Sequence, residues 1–139
     1  MVVADLERAL KVYRDVLGYK VVQTSVVAPD SYIRKVFRIP QSADVRSALL
    51  DGPDGSVRAL YLAEVKGVKL PLEQSPAMMT VLLRIENWQQ VLSGLNGLGL
   101  STVGPSQFEA QGGLITEISF TDSDGHLIVL FQRDQLASE

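Results

Sequence analysis

The sequence predicts an α+β fold made of two tandem modules, each running strand–helix–strand–strand–strand. Two observations carry this reading. The stretch Asp5-Leu-Glu-Arg-Ala-Leu-Lys-Val-Tyr-Arg-Asp-Val-Leu-Gly18-Tyr-Lys-Val-Val22 reads as a capped helix, a glycine stop and a strand, and a weaker copy of this plan returns from Asn87 to Leu100. An Asp-Gly turn then opens the last strand of each half, Asp54-Gly55 in the first and Asp124-Gly125 in the second. Aligning the halves matches Asp5 with Asn87, Leu6 with Trp88, Leu10 with Leu92, and Gly18 with Gly99 after a one-residue deletion.

Each element has a local reason. Asp5 is a good N-cap, and Leu6, Ala9, Leu10, Tyr13, Val16 and Leu17 recur at helical spacing on one side. Gly18 supplies the left-handed residue that closes the helix. Val2 and Val3 read as the end of a short strand, and Tyr19 to Val27 as a strand rich in β-branched residues. Pro29-Asp30 marks a turn, while Tyr32 to Ile39 is either extended or briefly helical. Val45 to Leu50 and Val57 to Val65 read as strands joined by the turn sequence Asp51-Gly-Pro-Asp-Gly55. In the second half, Met78 to Ile85 is a strand, and Asn87 caps a helix whose apolar residues are Trp88, Val91, Leu92, Leu95 and Leu98. Gly94 and Gly97 weaken this helix by about 1 kcal/mol each relative to alanine, so packing must hold it. Leu100 to Val103, Ile115 to Phe120 and Leu127 to Gln132 complete the strands. Arg133 to Glu139 reads as a fraying polar tail.

The 139 residues are expected to form one domain: module one over about 1–66, a linker over 67–76 and module two over about 77–133. There is no cysteine, which excludes disulfides and thiolate metal sites. A net charge of −3 and the lack of any basic run argue against nucleic acid. No apolar run approaches a membrane span, and the first residues lack a signal peptide's pattern, so a cytoplasmic protein is expected. The hydrophobic share of 46% against 21% charged residues favours an oligomer that hides surface.

The pattern Asp5-Leu-Glu-Arg-Ala-Leu-x-x-Tyr13-x-x-x-Leu17-Gly18-Tyr-x-Val-Val resembles the opening of the vicinal oxygen chelate superfamily, which contains glyoxalases, bleomycin-resistance proteins and extradiol dioxygenases. Ile115-Thr-Glu-Ile-Ser-Phe-Thr-Asp122-Ser-Asp-Gly-His126-Leu-Ile-Val-Leu-Phe resembles its closing strand–turn–strand. The resemblance spans Val2 to Gln132. It implies two βαβββ modules forming a curved mixed sheet around a cleft, commonly within a homodimer. It also implies a divalent metal held by His and Glu on the inner strands, polarising vicinal oxygens or stabilising an enediolate.

The implied ligand positions are not kept. The carboxylate four residues after the turn glycine is replaced by Val129, and its first-module counterpart by Tyr61. The second module's first-strand ligand is replaced by Thr80, and its counterpart would precede Met1. Valine has no donor atom, and neutral tyrosine and threonine are weak ligands. No metal or other cofactor is therefore expected.

The candidate substrate-binding residues are Tyr61, Thr80, Leu82, Arg84, Glu117, Val129, Arg34 and Phe37, with Glu117 and Tyr61 as candidate catalytic groups. Glu117 shares its strand face with Ile115 and Ser119 and would be a general base if that face lines a pocket; otherwise it is a solvated carboxylate. Glu64 reads more strongly as strand-end surface. Tyr61, flanked by Ala59 and Ala63, suits either a pocket wall or packing against a helix. Arg84 would pair an anionic ligand or lie as surface charge. Arg34, Phe37 and Arg38 would form a mobile flap over a ligand or a dimer contact. His126, the only histidine, reads as a turn residue pointing out of the cleft; Gly112-Gly113 reads as a hairpin or flexible loop, and Trp88 as a packing anchor. The leading function is metal-independent binding of a small organic ligand, for sequestration or resistance. The alternative is a metal-independent isomerase, cyclase or lyase using side-chain acid–base groups. A metal-dependent lyase or dioxygenase ranks third.

Overall fold

Asp5 starts the first helix as its cap chemistry predicts: in a computed structural model of the protein, its Oδ1 accepts the Arg8 backbone N–H at 2.8 Å. The structure describes residues 1–71, 77, 79–110 and 112–135. Residues 72–76 of the expected linker, Met78 at the expected strand start and residues 136–139 of the expected tail lie outside these. The chain divides into two compact units, residues 1–72 and 73–139.

In the first unit, β1 (Val2–Val3) leads into α1 (Leu6–Leu10), which continues over Lys11–Val16 in a wider, π-helical winding. There the Leu17 N–H donates to the Val12 carbonyl, five residues back, at 2.9 Å. Gly18 ends the helix at φ +78. Strands β2 (Lys20–Val26), β3 (Asp44–Asp51) and β4 (Leu60–Lys66) follow, in the sheet order β1-β4-β3-β2. β1 runs parallel to β4, and the other pairs are antiparallel.

Strand alternation sorts the side chains. Leu60, Leu62 and Glu64, with Ala48 and Leu50 opposite, share the face toward α1, whose buried residues are Leu6, Ala9 and Leu10. Tyr61, Ala63 and Val65, with Val45, Ser47 and Leu49, share the other face. The segment Tyr32 to Ile39, left open by the sequence, contains a helix, α2 (Tyr32–Phe37). Ser31 Oγ accepts the Ile33 N–H at 3.3 Å, and Arg38 ends the helix in the left-handed region at φ 55. Beside it, Val27, Ile39, Ala43, Val45, Ala63 and Val65 form a small second core, with Ile33, Phe37 and Tyr61 packed against it.

The last strand of this unit begins at Leu60, not at Val57 as expected. Arg58 is left-handed at φ 53, and its N–H donates to Asp51 Oδ1 at 2.7 Å, which bends the chain out of the sheet first.

The second unit repeats the topology with β5 (Thr80–Arg84), α3 (Trp88–Gly97), β6 (Thr102–Ala110), β7 (Gly113–Thr121) and β8 (Leu127–Gln135), ordered β5-β8-β7-β6. Leu83, Ile118, Phe120, Ile128 and Leu130 are buried together with Val91 and Leu95 of α3. Four expectations change here. Arg133, expected to begin a fraying tail, belongs to β8, which pairs with β7 through Gln135. Asn87 stands at the cap position but is left-handed at φ 52 and makes no side-chain cap bond. Leu98, expected on the apolar face, is exposed. The strand expected over Leu100 to Val103 extends to Ala110, because β6 pairs with β7 along its length, and the Gly112-Gly113 region is the hairpin between them.

The two Asp-Gly turns close alike. Gly52 N–H donates to the Ser56 carbonyl at 2.7 Å and Gly55 N–H to the Gly52 carbonyl at 3.1 Å. In the second unit, Asp122 N–H donates to the His126 carbonyl at 3.0 Å and Gly125 N–H to the Asp122 carbonyl at 3.1 Å. Gly55 and Gly125 both have φ +84, a conformation that favours glycine.

Candidate functional site

The sheet of the first unit carries a recess on the face turned away from α1. The register aligns Gln23 with Leu49 and Tyr61, and Ser25 with Ser47 and Ala63. Two serines and an alanine in one row leave room that larger side chains would fill. The first turn of α2, through Ser31 and Ile33, and the chain from Val26 to Ala28 wall one side, and Arg58 joins the lining. The cavity is about 290 Å³. The Oγ atoms of Ser25 and Ser47 lie 3.0 Å apart, and Ser47 is buried. Phe37 stacks on Tyr61, with centroids 6.3 Å apart and planes 13° apart, which fixes the phenol ring.

Among the expected site residues, Tyr61 lines this recess and Phe37 supports it. Arg34 does something other than gate a ligand. It is only 6% exposed. Its Nε donates to the Ala28 carbonyl at 2.9 Å, Nη1 to those of Pro40 at 3.0 Å and Ala43 at 2.9 Å, and Nη2 to that of Val27 at 3.0 Å. The segment expected to be a mobile flap is thus pinned by a guanidinium that has spent four of its five N–H donors on backbone.

Thr80, Leu82, Arg84, Glu117 and Val129 share one face of the second sheet. Leu82 aligns with Val129 and Ser119, and Arg84 with Phe131 and Glu117. This is the face opposite the buried row of Leu83, Leu130 and Ile118; on it Leu82 is 60% exposed, while Glu117 and Val129 are half-buried.

Glu64 corrects the strand-end surface reading. It is buried on the α1 side, where Oε2 accepts the Leu6 N–H at 2.8 Å and Arg46 pairs with both carboxylate oxygens at 2.9 and 3.0 Å. The hydrogen bonds from Arg46 and from the Leu6 backbone hold its carboxyl down to about 2. His126 serves its turn, with Nδ1 2.9 Å from Asp122 Oδ2.

Sequence reasoning missed Gln23, Ser25, Ser47, Leu49 and Arg58. One signal was present. Ser47 is a polar residue between Val45 and Leu49 on the strand face that alternation assigns to all three.

The donor set does not suit a divalent ion at the superfamily's positions. Val129 offers no donor, Thr80 Oγ1 donates to the Leu127 carbonyl at 3.1 Å, and the Tyr61 ring is stacked on Phe37. Among the described residues, no three His, Cys, Asp or Glu side chains come together as a metal-binding group.

A family model described as Glyoxalase/Bleomycin resistance protein/Dioxygenase superfamily matches residues 1–130. Among solved structures, the chain is similar to a glyoxalase family protein from Bacillus cereus, at a TM-score of 0.70 and 20% identity, covering 96% of this chain and 89% of the other. It is also similar to a glyoxylase/bleomycin resistance protein/dioxygenase domain from Frankia sp. EAN1pec, at a TM-score of 0.61 and 17% identity, with coverages of 96% and 92%. A third similar structure is the fosfomycin resistance protein FosX from Listeria monocytogenes complexed with Mn(II) and sulfate, at a TM-score of 0.55 and 16% identity, with coverages of 99% and 86%. At these identities the likeness is one of fold. No curated protein matches the chain.

Proposed function

Because the chain belongs to the glyoxalase/bleomycin resistance protein/dioxygenase superfamily, we propose that it keeps the superfamily's fold for binding a small organic molecule and does so without the superfamily's metal. The recess on the first sheet carries this reading. Its volume of about 290 Å³ is near the lower end of the roughly 300–1,000 Å³ common for small-molecule sites. Its lining combines Leu49, Ile33 and Val27 with the hydroxyls of Ser25, Ser47 and Tyr61. Apolar walls with a few convergent polar groups suit an organic ligand. The non-ligand residues at the metal positions support binding that needs no ion.

Elemental analysis of the purified protein, joined to a thermal-shift screen with and without EDTA, tests this. The expected outcome is divalent metal far below one equivalent, and ligand-induced shifts that EDTA leaves in place. Stoichiometric metal, or shifts that chelation abolishes, would refute it.

A further inference from the structure

The two modules differ at one place that bears on the recess. Both Asp-Gly turns close with the same pair of hydrogen bonds, so Ser56 corresponds to His126. The parallel pairs then align Tyr61 with Val129, because Ala63 partners Val2 as Phe131 partners Arg84. Between these fixed points the first module has two extra residues, which fall at Val57-Arg58.

The extra pair is held in a defined shape. Arg58 sits at φ 53, a conformation that side-chain-bearing residues rarely adopt, and Asp51 Oδ1 accepts its N–H at 2.7 Å. Backbone strain of this kind persists only where surrounding structure holds it, and it clusters at ligand sites. Here it brings Arg58 to the recess.

Among the described lining residues Arg58 is also the only charged one, the others being Gln23, four apolar residues, alanine, three serines and Tyr61. Its guanidinium has no hydrogen-bond or ion-pair partner among the described residues; Asp51 takes the backbone N–H instead. An unpaired guanidinium on a residue that lines a recess rich in hydroxyls, with no carboxylate among the described lining residues, is matched by an acceptor-rich anion.

We propose that the recess selects small organic anions, carrying a carboxylate or a phosphate, and that Arg58 is the residue that selects them. This rests on the recess being the ligand site. In the bound state the anion accepts from the Arg58 guanidinium, while the ligand's apolar part lies against Leu49, Ile33 and the Tyr61 ring.

Benzoate and benzamide, nearly isosteric and differing in charge, are the probes. Each is titrated into the protein at low ionic strength, with the backbone amide signals of Gln23, Ser25, Ser47 and Tyr61 followed by NMR. Benzoate is expected to saturate at a concentration roughly three- to tenfold lower than benzamide, as a partly solvated charge-assisted contact allows. Arg58→Gln and Arg58→Gly should remove most of the difference between the two probes, weakening benzoate several-fold more than benzamide; the glycine variant accepts the positive φ and keeps the fold. If both probes bind equally, or Arg58→Gln leaves benzoate binding intact, the anion assignment falls while the recess remains a ligand site. If neither probe moves those four signals, the assignment and the reading beneath it fall together.

Discussion

Arg34 holds much of the local structure around α2 in the first unit. Four backbone carbonyls, of Val27, Ala28, Pro40 and Ala43, accept from one buried guanidinium. Arg34→Ala removes these donors at once; the Ala28 and Pro40 carbonyls keep the N–H groups of Ser31 and Ala43, while the buried bonds to the Val27 and Ala43 carbonyls are lost. The expected cost is about 3 kcal/mol or more, read as a lowered urea midpoint. Arg34→Lys, with three donors on a point charge in place of a planar fork, should recover only part of it. The sequence shows an arginine followed three residues later by Phe37, and nothing in that spacing separates a ligand contact from a backbone clamp. Burial decides, and burial depends on a loop path from Val27 to Ala43 that no periodicity encodes. For Tyr61, strand alternation left a pocket wall and packing against a helix equally open; the ring both lines the recess and stacks on Phe37 of α2. Ser25 was not legible, since its importance comes from the cross-strand partner Ser47, and pairing is a long-range property.

At the scale of elements, the entry to α1 is held from two sides. Asp5 accepts from Arg8, and Glu64 reaches from β4 to the Leu6 N–H while paired with Arg46. Because folding holds the Glu64 carboxyl down to about 2, its stabilisation is complete above the ordinary carboxylate range near 4.5 and is lost as pH falls toward 2. Arg46 is half exposed, so this stabilisation is taken as about 2 kcal/mol, below what the full shift would imply. Urea unfolding of Glu64→Gln is expected to show lower stability at neutral pH and a flatter decline between pH 4.5 and 2; equal acid sensitivity of variant and parent would contradict it. Helices and strands with strong local signals were legible: the Asp5 cap, Gly18 and Gly99, and the Asp-Gly turns fall where the sequence puts them. Boundaries set by tertiary partners were not. β6 runs to Ala110 because β7 pairs with it, and β4 starts late because Asp51 holds Arg58.

For the whole molecule, the repeat was the clearest message of the sequence, and both sheets have the same strand order. The outer strands β2 and β6 are exposed and carry Val22, Val26, Val103 and Phe108 on the surface. Edge strands with apolar side chains favour association. Sedimentation equilibrium is expected to give a dimer, twice the 15.2 kDa chain mass; a monomer at high micromolar concentration would contradict this.

The looser winding over Lys11–Val16 has a consequence for the duplication itself. From cap to closing glycine the first module counts one residue more than the second, yet both helices end on corresponding bonds. Leu100 N–H reaches back to the Leu95 carbonyl, and Tyr19 N–H to that of Tyr13, at 3.0 Å in each case. Leu95 and Tyr13 stand equally far from their caps, so the surplus residue lies between Tyr13 and Gly18. A π turn absorbs one residue without adding a turn. The helix therefore acts as slack in the chain: an insertion is taken up as girth, and neither the strand before it nor the strand after it has to move.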